Sequence, residues 1–503
     1  MTVEVSRDPR TGSANGEVAT TETAEVPVVV AVAAEAAPTL ARTSPAERRA
    51  WSYAVADALE NASGELVDVA DAETGLGETR LAGEVARVAG QLRFYADVAV
   101  EGSYLGVTID RATDTSPSLA RVRVPLGPVA VFGASNFPFA FGLLGNDTAS
   151  ALAAGCPVVA KGHPAHPRVS ARLAAIATAA LAEAGAPDGT FAMVSGFDAG
   201  VALVREPRTA AVAFTGSQRG GLALWRAAAE REVVIPVFAE MGTVNPAVVT
   251  AAATARLAEI ASGFVGSFTL GTGQFCTKPG LLLVPAGYGA ARVVGDALEA
   301  SASASAPAGW SLTEQIATSA AAGVAELTEA GAGIVAQVAG PDAGWSVAST
   351  VLSVPIDALR AGSRLLEECF GPVALVAEYD GDEDLTRTLH ELQGSLAASV
   401  MSGGADDSDV PRLLTMLAAK VGRVAVDDWP TGVAYTWAQH HGGPWPSTSV
   451  PSATSVGAAA LDRFVRPVAY QSVPDHALPT ALQGANPWRL PRRVDGVPES
   501  VEG

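Results

Sequence analysis

From residue 128 onward, short strand-like runs alternate with helical ones, and this rhythm constrains the fold more than any other feature of the chain. Strand patterns fall at 128–132, 157–160, 190–194, 210–214 and 233–238. Helical patterns fall around 145–154, from about 167 to 184 with Gly185 and Pro187 closing the run, and after Gly221. A strand that must cross a helix before the next strand returns to a parallel neighbour, with the helix packed on a face of the sheet. The rhythm predicts an α/β fold with a mostly parallel sheet and helices on both faces, whose ligands bind at the carboxyl edge of the strands. A second α/β stretch runs from near Asn245 to about Val450, with helices near 254–267 and 384–391. At 503 residues the chain exceeds one compact core, so two or more domains are expected.

Upstream the pattern is different. Residues 1–25 are rich in Thr, Ser, Gly, Glu and Asp without period, which predicts a mobile tail. Ser44-Pro45-Ala46-Glu47 is a helix-start signature, predicting a helix to about Glu60. Val85, Ala89, Leu92 and Ala96 share one face of a helix ending near Asp97. Two β-type pieces, 107–110 and 122–124, predict an extended hairpin of the kind that pairs between subunits.

Charge and cysteine usage narrow the function. With 33 Lys and Arg against 53 Asp and Glu, the net charge of -20 repels nucleic acid and anionic membrane surfaces. An anionic ligand such as a dinucleotide then requires locally positive potential from a few cations or backbone N–H groups. The three cysteines, Cys156, Cys276 and Cys369, are widely spaced, so neither a disulfide framework nor a CxxC metal motif is expected, and a reducing compartment fits. The apolar stretch 26–34 contains Pro27 and is flanked by Glu22, Glu25 and Glu35, unlike a signal peptide, and no run approaches the roughly 18 apolar residues of a spanning helix. A cytoplasmic protein is expected.

Three short segments carry chemistry. In Gly273-Gln274-Phe275-Cys276-Thr277 small residues lead to a cysteine whose thiolate would have close access to a substrate. A lone cysteine is more often buried filler. Glu240-Met241-Gly242 and Ser135-Asn136-Phe137-Pro138, however, place a carboxylate and an amide donor just beyond strand patterns, at the carboxyl edge of the predicted sheet. Capping or turn formation would explain either of these alone.

Taken together, the ordered set Asn136-Phe137-Pro138, Lys161, Phe214-Thr215-Gly216-Ser217, Glu240-Met241-Gly242, Gly273-Gln274-Phe275-Cys276 and Glu368-Cys369-Phe370-Gly371-Pro372 resembles the aldehyde dehydrogenase superfamily, over about residues 30–480. The resemblance implies a Rossmann-like cofactor domain at 26–106 and 126–242, and an α/β catalytic domain at 243–463. It also implies a small β oligomerisation element at 107–125 and 464–480, a C-terminal tail at 481–503, and a homodimer or homotetramer. Cys276 would attack the aldehyde. Asn136 and the Cys276 N–H would hold the oxyanion, hydride would leave to NAD(P), and Glu240 would activate the water that hydrolyses the thioester. A base at Glu240 disfavours transfer of the acyl group to coenzyme A. Gly216, Ser217 and Gly221 would meet the pyrophosphate, Lys161 and Glu368 would bind the two riboses, and Phe370 would lie beside them. NAD-preferring relatives carry a Glu three residues after the Lys, whereas this chain has Lys161-Gly162-His163-Pro164. Without that acid, and with His163 nearby, NADP is expected to be used well.

The segments Lys161 to Pro167, Glu240 to Pro246 and Pro430 to Pro446, with Thr454 to Gly457 and Arg463 to Val468, resemble the α-ketoglutaric semialdehyde (2,5-dioxovalerate) dehydrogenase branch, which includes NADP-dependent fatty-aldehyde enzymes. Phe137, Phe275, Thr431, Gly432, His441 and Trp445 would line the substrate site. Trp445 replaces a Tyr common in relatives, and Tyr435, Trp437 and Gln439 reshape the same segment, so aliphatic or aromatic aldehydes stand as the alternative substrates. Arg423 is the nearest candidate to anchor a distal carboxylate. A non-catalytic binding protein that keeps the fold is the alternative of another class, against which Cys276, Glu240 and Asn136 together argue.

Overall fold

The computed structural model describes residues 2–304 and 309–499. It opens with a hairpin, β1 (Val3–Arg7) and β2 (Ala14–Ala19), paired antiparallel, where the composition predicts a tail. The polar residues that look solvated are used to close and dock it. Gly12 takes a φ of 73°, the Asp8 carboxylate accepts from the Arg10 N–H at 2.9 Å, and Arg10 reaches Asp71 at 2.6 Å. Helices follow at Val26–Arg42, Pro45–Asn61, Ser63–Thr74 and Glu78–Glu101. The expected capping box is present, with Ser44 and Glu47 each satisfying the other's backbone N–H. Val85, Ala89, Leu92 and Ala96 are all buried.

β3 (Val107–Asp110) and β4 (Leu119–Pro125) form the predicted hairpin. The βαβ rhythm then builds a five-stranded, wholly parallel sheet from β5 (Val129–Phe132), β6 (Val158–Lys161), β7 (Phe191–Val194), β8 (Ala211–Gly216) and β9 (Val237–Met241), in the order β7-β6-β5-β8-β9. One face packs on Pro45–Asn61, Glu78–Glu101, Asn146–Ala154 and Pro167–Glu183, and the other on Val26–Arg42, Phe197–Arg205 and Gln218–Ala229. The last strand starts four residues later than the apolar run predicts. Val233 and Val234 are 68% and 65% exposed, and Pro236 has no N–H to give a ladder. Glu240 therefore belongs to the end of β9, opposite Thr215, rather than to the loop beyond it.

β10 (Pro246–Val249), β11 (Leu281–Pro285), β12 (Gly333–Val338), β13 (Ser349–Ser353), β14 (Val373–Tyr379), β15 (Ser395–Met401) and β16 (Val421–Val426) make a seven-stranded sheet in the order β12-β13-β14-β11-β10-β15-β16, parallel except for β12. Apolar clusters cover both of its faces. β17 (Val465–Gln471) returns to pair with β4 over seven residues. β18 (Arg492–Val494) joins β3, and β19 (Val497–Glu499) joins β18. The C-terminal segment is thus part of a third sheet rather than a free tail, because β3 would otherwise present an unpaired edge. Among the described residues no helix is long and apolar enough to cross a membrane.

Candidate active site

The loop before β11 carries Cys276, and its backbone is unusual. Gly271, Thr272 and Gly273 have φ of 55°, 60° and 67°, three consecutive residues in the left-handed region, where a β-branched Thr is strained. Gly273 cannot carry a side chain, since a Cβ there would meet the Gly371 carbonyl and Pro372 nitrogen. Two amides hold the loop. Asn136 donates to the Gln274 carbonyl at 2.7 Å, and Asn245, itself at φ 53°, donates to the Cys276 carbonyl at 2.8 Å. Asn136 has two amide hydrogens, so one remains for an oxyanion at Cys276.

The second half of the site comes from β9 and the segment hydrogen-bonded along its edge. Glu240 bridges Thr448, Met241 donates to the Ser447 carbonyl, and Ala239 and Ser449 exchange bonds. This zipper delivers His441 and Ser455 to Glu240. His441 Nε2 lies 2.9 Å from Glu240 Oε1 and 3.6 Å from Cys276 Sγ, and the Ser455 hydroxyl donates to Glu240 Oε2. His441 is 1% exposed and Glu240 4%. Oε1 is buried without an aligned donor despite its closeness to Nε2, so the ring nitrogen faces sulfur and carboxylate at once. His441, expected on the substrate wall, instead connects nucleophile and carboxylate.

The charges follow from these contacts. Burial raises the Cys276 thiol well above its ordinary value, and the Glu240 and Glu368 carboxylates push it further up, so the resting group is a thiol. Burial alone would also raise Glu240, but His441, the Ser455 hydrogen bond and the Arg463 charge outweigh it and hold the carboxyl below its usual range. Arg463 is fixed by Asp147 at 2.7 Å, with both side chains nearly inaccessible. The arrangement is a thiol that needs a base, an imidazole in reach of it, and an ionised carboxylate behind.

One wall beside Cys276 is aromatic and cationic. Phe137 and Phe275 meet edge to face with centroids 5.1 Å apart, and the Arg80 guanidinium lies 5.0 and 5.3 Å from their rings. Arg87, two turns further along Glu78–Glu101, lies 5.8 Å from both Phe141 and Tyr435, donates to the Val433 carbonyl, and keeps a buried Nε with no partner. Trp437 and Tyr435 pack edge-on to Phe94 of the same helix. Sequence reasoning read only the apolar stripe of this helix. Its polar stripe, Arg80, Glu84, Arg87 and Gln91, has the same helical spacing and was equally legible. Thr431 is tied to Ser267 and Gly432 stands exposed at φ 103°, so this part of the loop is held by its base. Arg423 donates to the Pro430 carbonyl and fastens the loop to β16.

The opposite side fits a dinucleotide. Ser217 caps Gln218–Ala229, accepting from the Gly220 N–H, so the helix begins four residues earlier than expected and its first N–H groups lie at the carboxyl edge of β8. Gly216 and Gly221 are required by packing, because a Cβ would meet the Phe214 ring at 2.6 Å or the Met241 sulfur at 2.7 Å. Glu368 lies against Gly242, where a Cβ would collide with both carboxylate oxygens, and Phe370 is half-buried beyond it. Burial raises the Glu368 carboxyl although the Lys278 and Arg364 charges oppose this. Lys161, 12% exposed, has Glu4 of β1 at 3.9 Å, a carboxylate that the sequence pattern did not reveal. Pro164 is exposed, while His163 stacks on His166 at 5.2 Å and is held well below its ordinary pKa by burial, then by His166 and Lys161. His163 is therefore neutral and adds no positive charge, contrary to expectation. Trp445 is 54% exposed and borders a cavity of about 480 Å³ with Gln218, Gln393 and Lys420. Gln218 donates to the Gly242 carbonyl, so Trp445 stands beside the first turn of Gln218–Ala229.

Known proteins match this chain along most of its length. The aldehyde dehydrogenase family matches residues 2–464. The chain is 43% identical over 468 residues to alpha-ketoglutaric semialdehyde dehydrogenase 2 of Azospirillum brasilense, covering 90% of this chain and 88% of the relative. It is 39% identical over 466 residues to the alpha-ketoglutaric semialdehyde dehydrogenase of Acinetobacter baylyi, with coverage of 90% and 88%. Among solved structures, an NAD-dependent aldehyde dehydrogenase from Sinorhizobium meliloti superposes with a TM-score of 0.79 at 26% identity, over 93% of this chain and 90% of that one. A 3,6-anhydro-L-galactose dehydrogenase in complex with NAP shares the fold with a TM-score of 0.80 at 22% identity, over 93% and 96%.

Proposed function

This chain belongs to the aldehyde dehydrogenase family, and from that premise we propose that it oxidises 2,5-dioxovalerate to 2-oxoglutarate with NAD(P), through a thioester on Cys276. The observation that carries the chemistry is the single nitrogen of His441 standing between Cys276 Sγ and Glu240 Oε1. His441 takes the thiol proton as sulfur adds to the aldehyde carbon, and the free N–H of Asn136 with the Cys276 N–H stabilises the hemithioacetal oxyanion. When bound, NAD(P) supplies the acceptor for the hydride whose loss turns the hemithioacetal into a thioester. Glu240, ionised and backed by Arg463, then receives the proton of the water that adds to the thioester, the carbon–sulfur bond breaks, and sulfur takes back the proton held on His441 as the acid leaves.

The substrate assignment is supported by the names of the two relatives and by Arg87. A buried guanidinium nitrogen without a partner is costly unless an anion meets it, and the distal carboxylate of 2,5-dioxovalerate is such an anion. Initial rates with 2,5-dioxovalerate, hexanal and benzaldehyde, with Cys276→Ala as the blank, test the reading. The highest kcat/KM is expected for 2,5-dioxovalerate, and a clear preference for hexanal or benzaldehyde would discard it. Arg87→Met should raise KM for 2,5-dioxovalerate by about 10- to 100-fold, the worth of a charge-assisted hydrogen bond, and leave hexanal within about threefold. Equal losses on both aldehydes would remove Arg87 from substrate recognition.

For the cofactor, Lys161 without an acid at Pro164 supports use of NADP alongside NAD, while Glu4 returns a carboxylate to the same place and tempers the preference. Glu4→Gln should shift the ratio of dissociation constants, read by quenching of tryptophan fluorescence, toward NADP by on the order of tenfold, about 1.4 kcal/mol. An unchanged ratio would place Glu4 outside the binding site. The free edge of β17 is where a second subunit would add to the third sheet, and sedimentation of a β17 edge variant tests that placement.

A further inference from the structure

We propose that Cys276, His441 and Glu240 also form a binding site for a thiophilic divalent cation, zinc being the best match, and that the ion reversibly shuts the enzyme. The ligand atoms of these three residues all lie within 4.8 Å of one another, and among the described residues no other trio of His, Cys, Asp or Glu is found so close. The residues are 36 and 165 positions apart along the chain, 240 to 276 to 441, so no sequence motif announces them.

The distances suit one ion. A thiolate and an imidazole bound to zinc at about 2.3 and 2.0 Å with tetrahedral angles are about 3.5 Å apart. Sγ and Nε2 are 3.6 Å apart here. An imidazole nitrogen and a carboxylate oxygen on the same ion are about 3.3 Å apart, so the 2.9 Å contact between His441 and Glu240 needs to open only slightly. Each ligand is already fixed: the Cys276 carbonyl by Asn245, the His441 N–H by Thr454, and the Glu240 carboxylate by Ser455. Glu240 Oε1, buried and without an aligned donor, is the lone pair that coordination would use.

The donor set selects the metal. Sulfur, nitrogen and one carboxylate match zinc, whereas magnesium and calcium require six or more oxygens. In the binding step the thiol proton passes to solvent, sulfur forms a bond to the ion, and neutral imidazole joins through Nε2. Water takes the fourth position. With its lone pair on the metal, Sγ cannot add to an aldehyde until the ion is withdrawn. The inference goes beyond the oxidation of 2,5-dioxovalerate and does not depend on which aldehyde is the substrate.

Titration of the full chain with zinc chloride in chelator-free buffer, followed by calorimetry, tests this together with cobalt substitution and alkylation by iodoacetamide. The expected results are one-to-one binding, a cobalt complex with a thiolate-to-metal band and tetrahedral visible bands, and protection of Cys276 from alkylation that EDTA reverses. Cys276→Ser and His441→Ala should each weaken zinc by about 100-fold or more, while Cys369→Ser binds as the native chain does. Zinc affinity unchanged in Cys276→Ser, a cobalt spectrum without the thiolate band, or undiminished alkylation in saturating zinc would each overturn the site.

Discussion

His441→Ala should abolish the rapid first turnover and lower kcat/KM by about 10²- to 10⁴-fold, the range expected when a positioned proton acceptor is removed. The reason lies in the resting state of the nucleophile. Burial and the carboxylates of Glu240 and Glu368 all push the Cys276 thiol upward, so no thiolate waits for the aldehyde. The base nearest the sulfur is His441 Nε2 at 3.6 Å. Without it the proton has no acceptor in line, and sulfur addition slows before any hydride moves. Stopped-flow absorbance of the reduced nicotinamide reads this step directly. A burst of native rate and amplitude in the variant would show that His441 is not the base for the thiol.

Glu240→Gln should give the opposite pattern. The burst, stoichiometric with enzyme, is retained because His441 still takes the thiol proton, whereas steady-state turnover falls by about 10²- to 10⁴-fold because an amide cannot take the proton of water. Acyl-enzyme then accumulates and is visible by mass spectrometry of the quenched protein. His441, Ser455 and Arg463 together outweigh burial and hold the native carboxylate ionised, so its loss is felt at the pH of assay and not only in acid. Steady-state turnover within about threefold of the native enzyme would remove Glu240 from hydrolysis. The two variants together separate formation of the thioester from its breakdown, which neither does alone.

Much of this site was readable in the chain because parallel α/β folds put function at the carboxyl ends of strands. The runs before Asn136 and Gly216 located those ends closely, since strand and turn chemistry are local. Glu240 was found although its strand was placed four residues early, because the apolar run 233–235 looks like a strand and only Pro236 marks the true start. The contacts that escaped are those made across the fold. His441 lies 165 residues from Cys276, and nothing in its own segment distinguishes a wall residue from a base. Glu4 reached Lys161 from a segment whose composition mimics a solvated tail. Arg87 lies on a polar stripe whose spacing is legible, but its partners Phe141 and Tyr435 come from distant segments. Pairings of this kind depend on which surfaces the sheets bring together, and no periodicity encodes them.

The close approach of Gly273 to Gly371 and Pro372 has a bearing on how such an enzyme can be altered. The loop that presents the nucleophile and the loop that presents Glu368 touch backbone to backbone, with no side chain between to absorb a displacement. On the proposed reading one loop serves sulfur and the other would serve a ribose, but mechanically they form a single unit. Changes aimed at cofactor choice that shift residues 368–372 will also retune the thiol. Selections for new aldehydes that move residues 271–276 will surface as altered dinucleotide affinity.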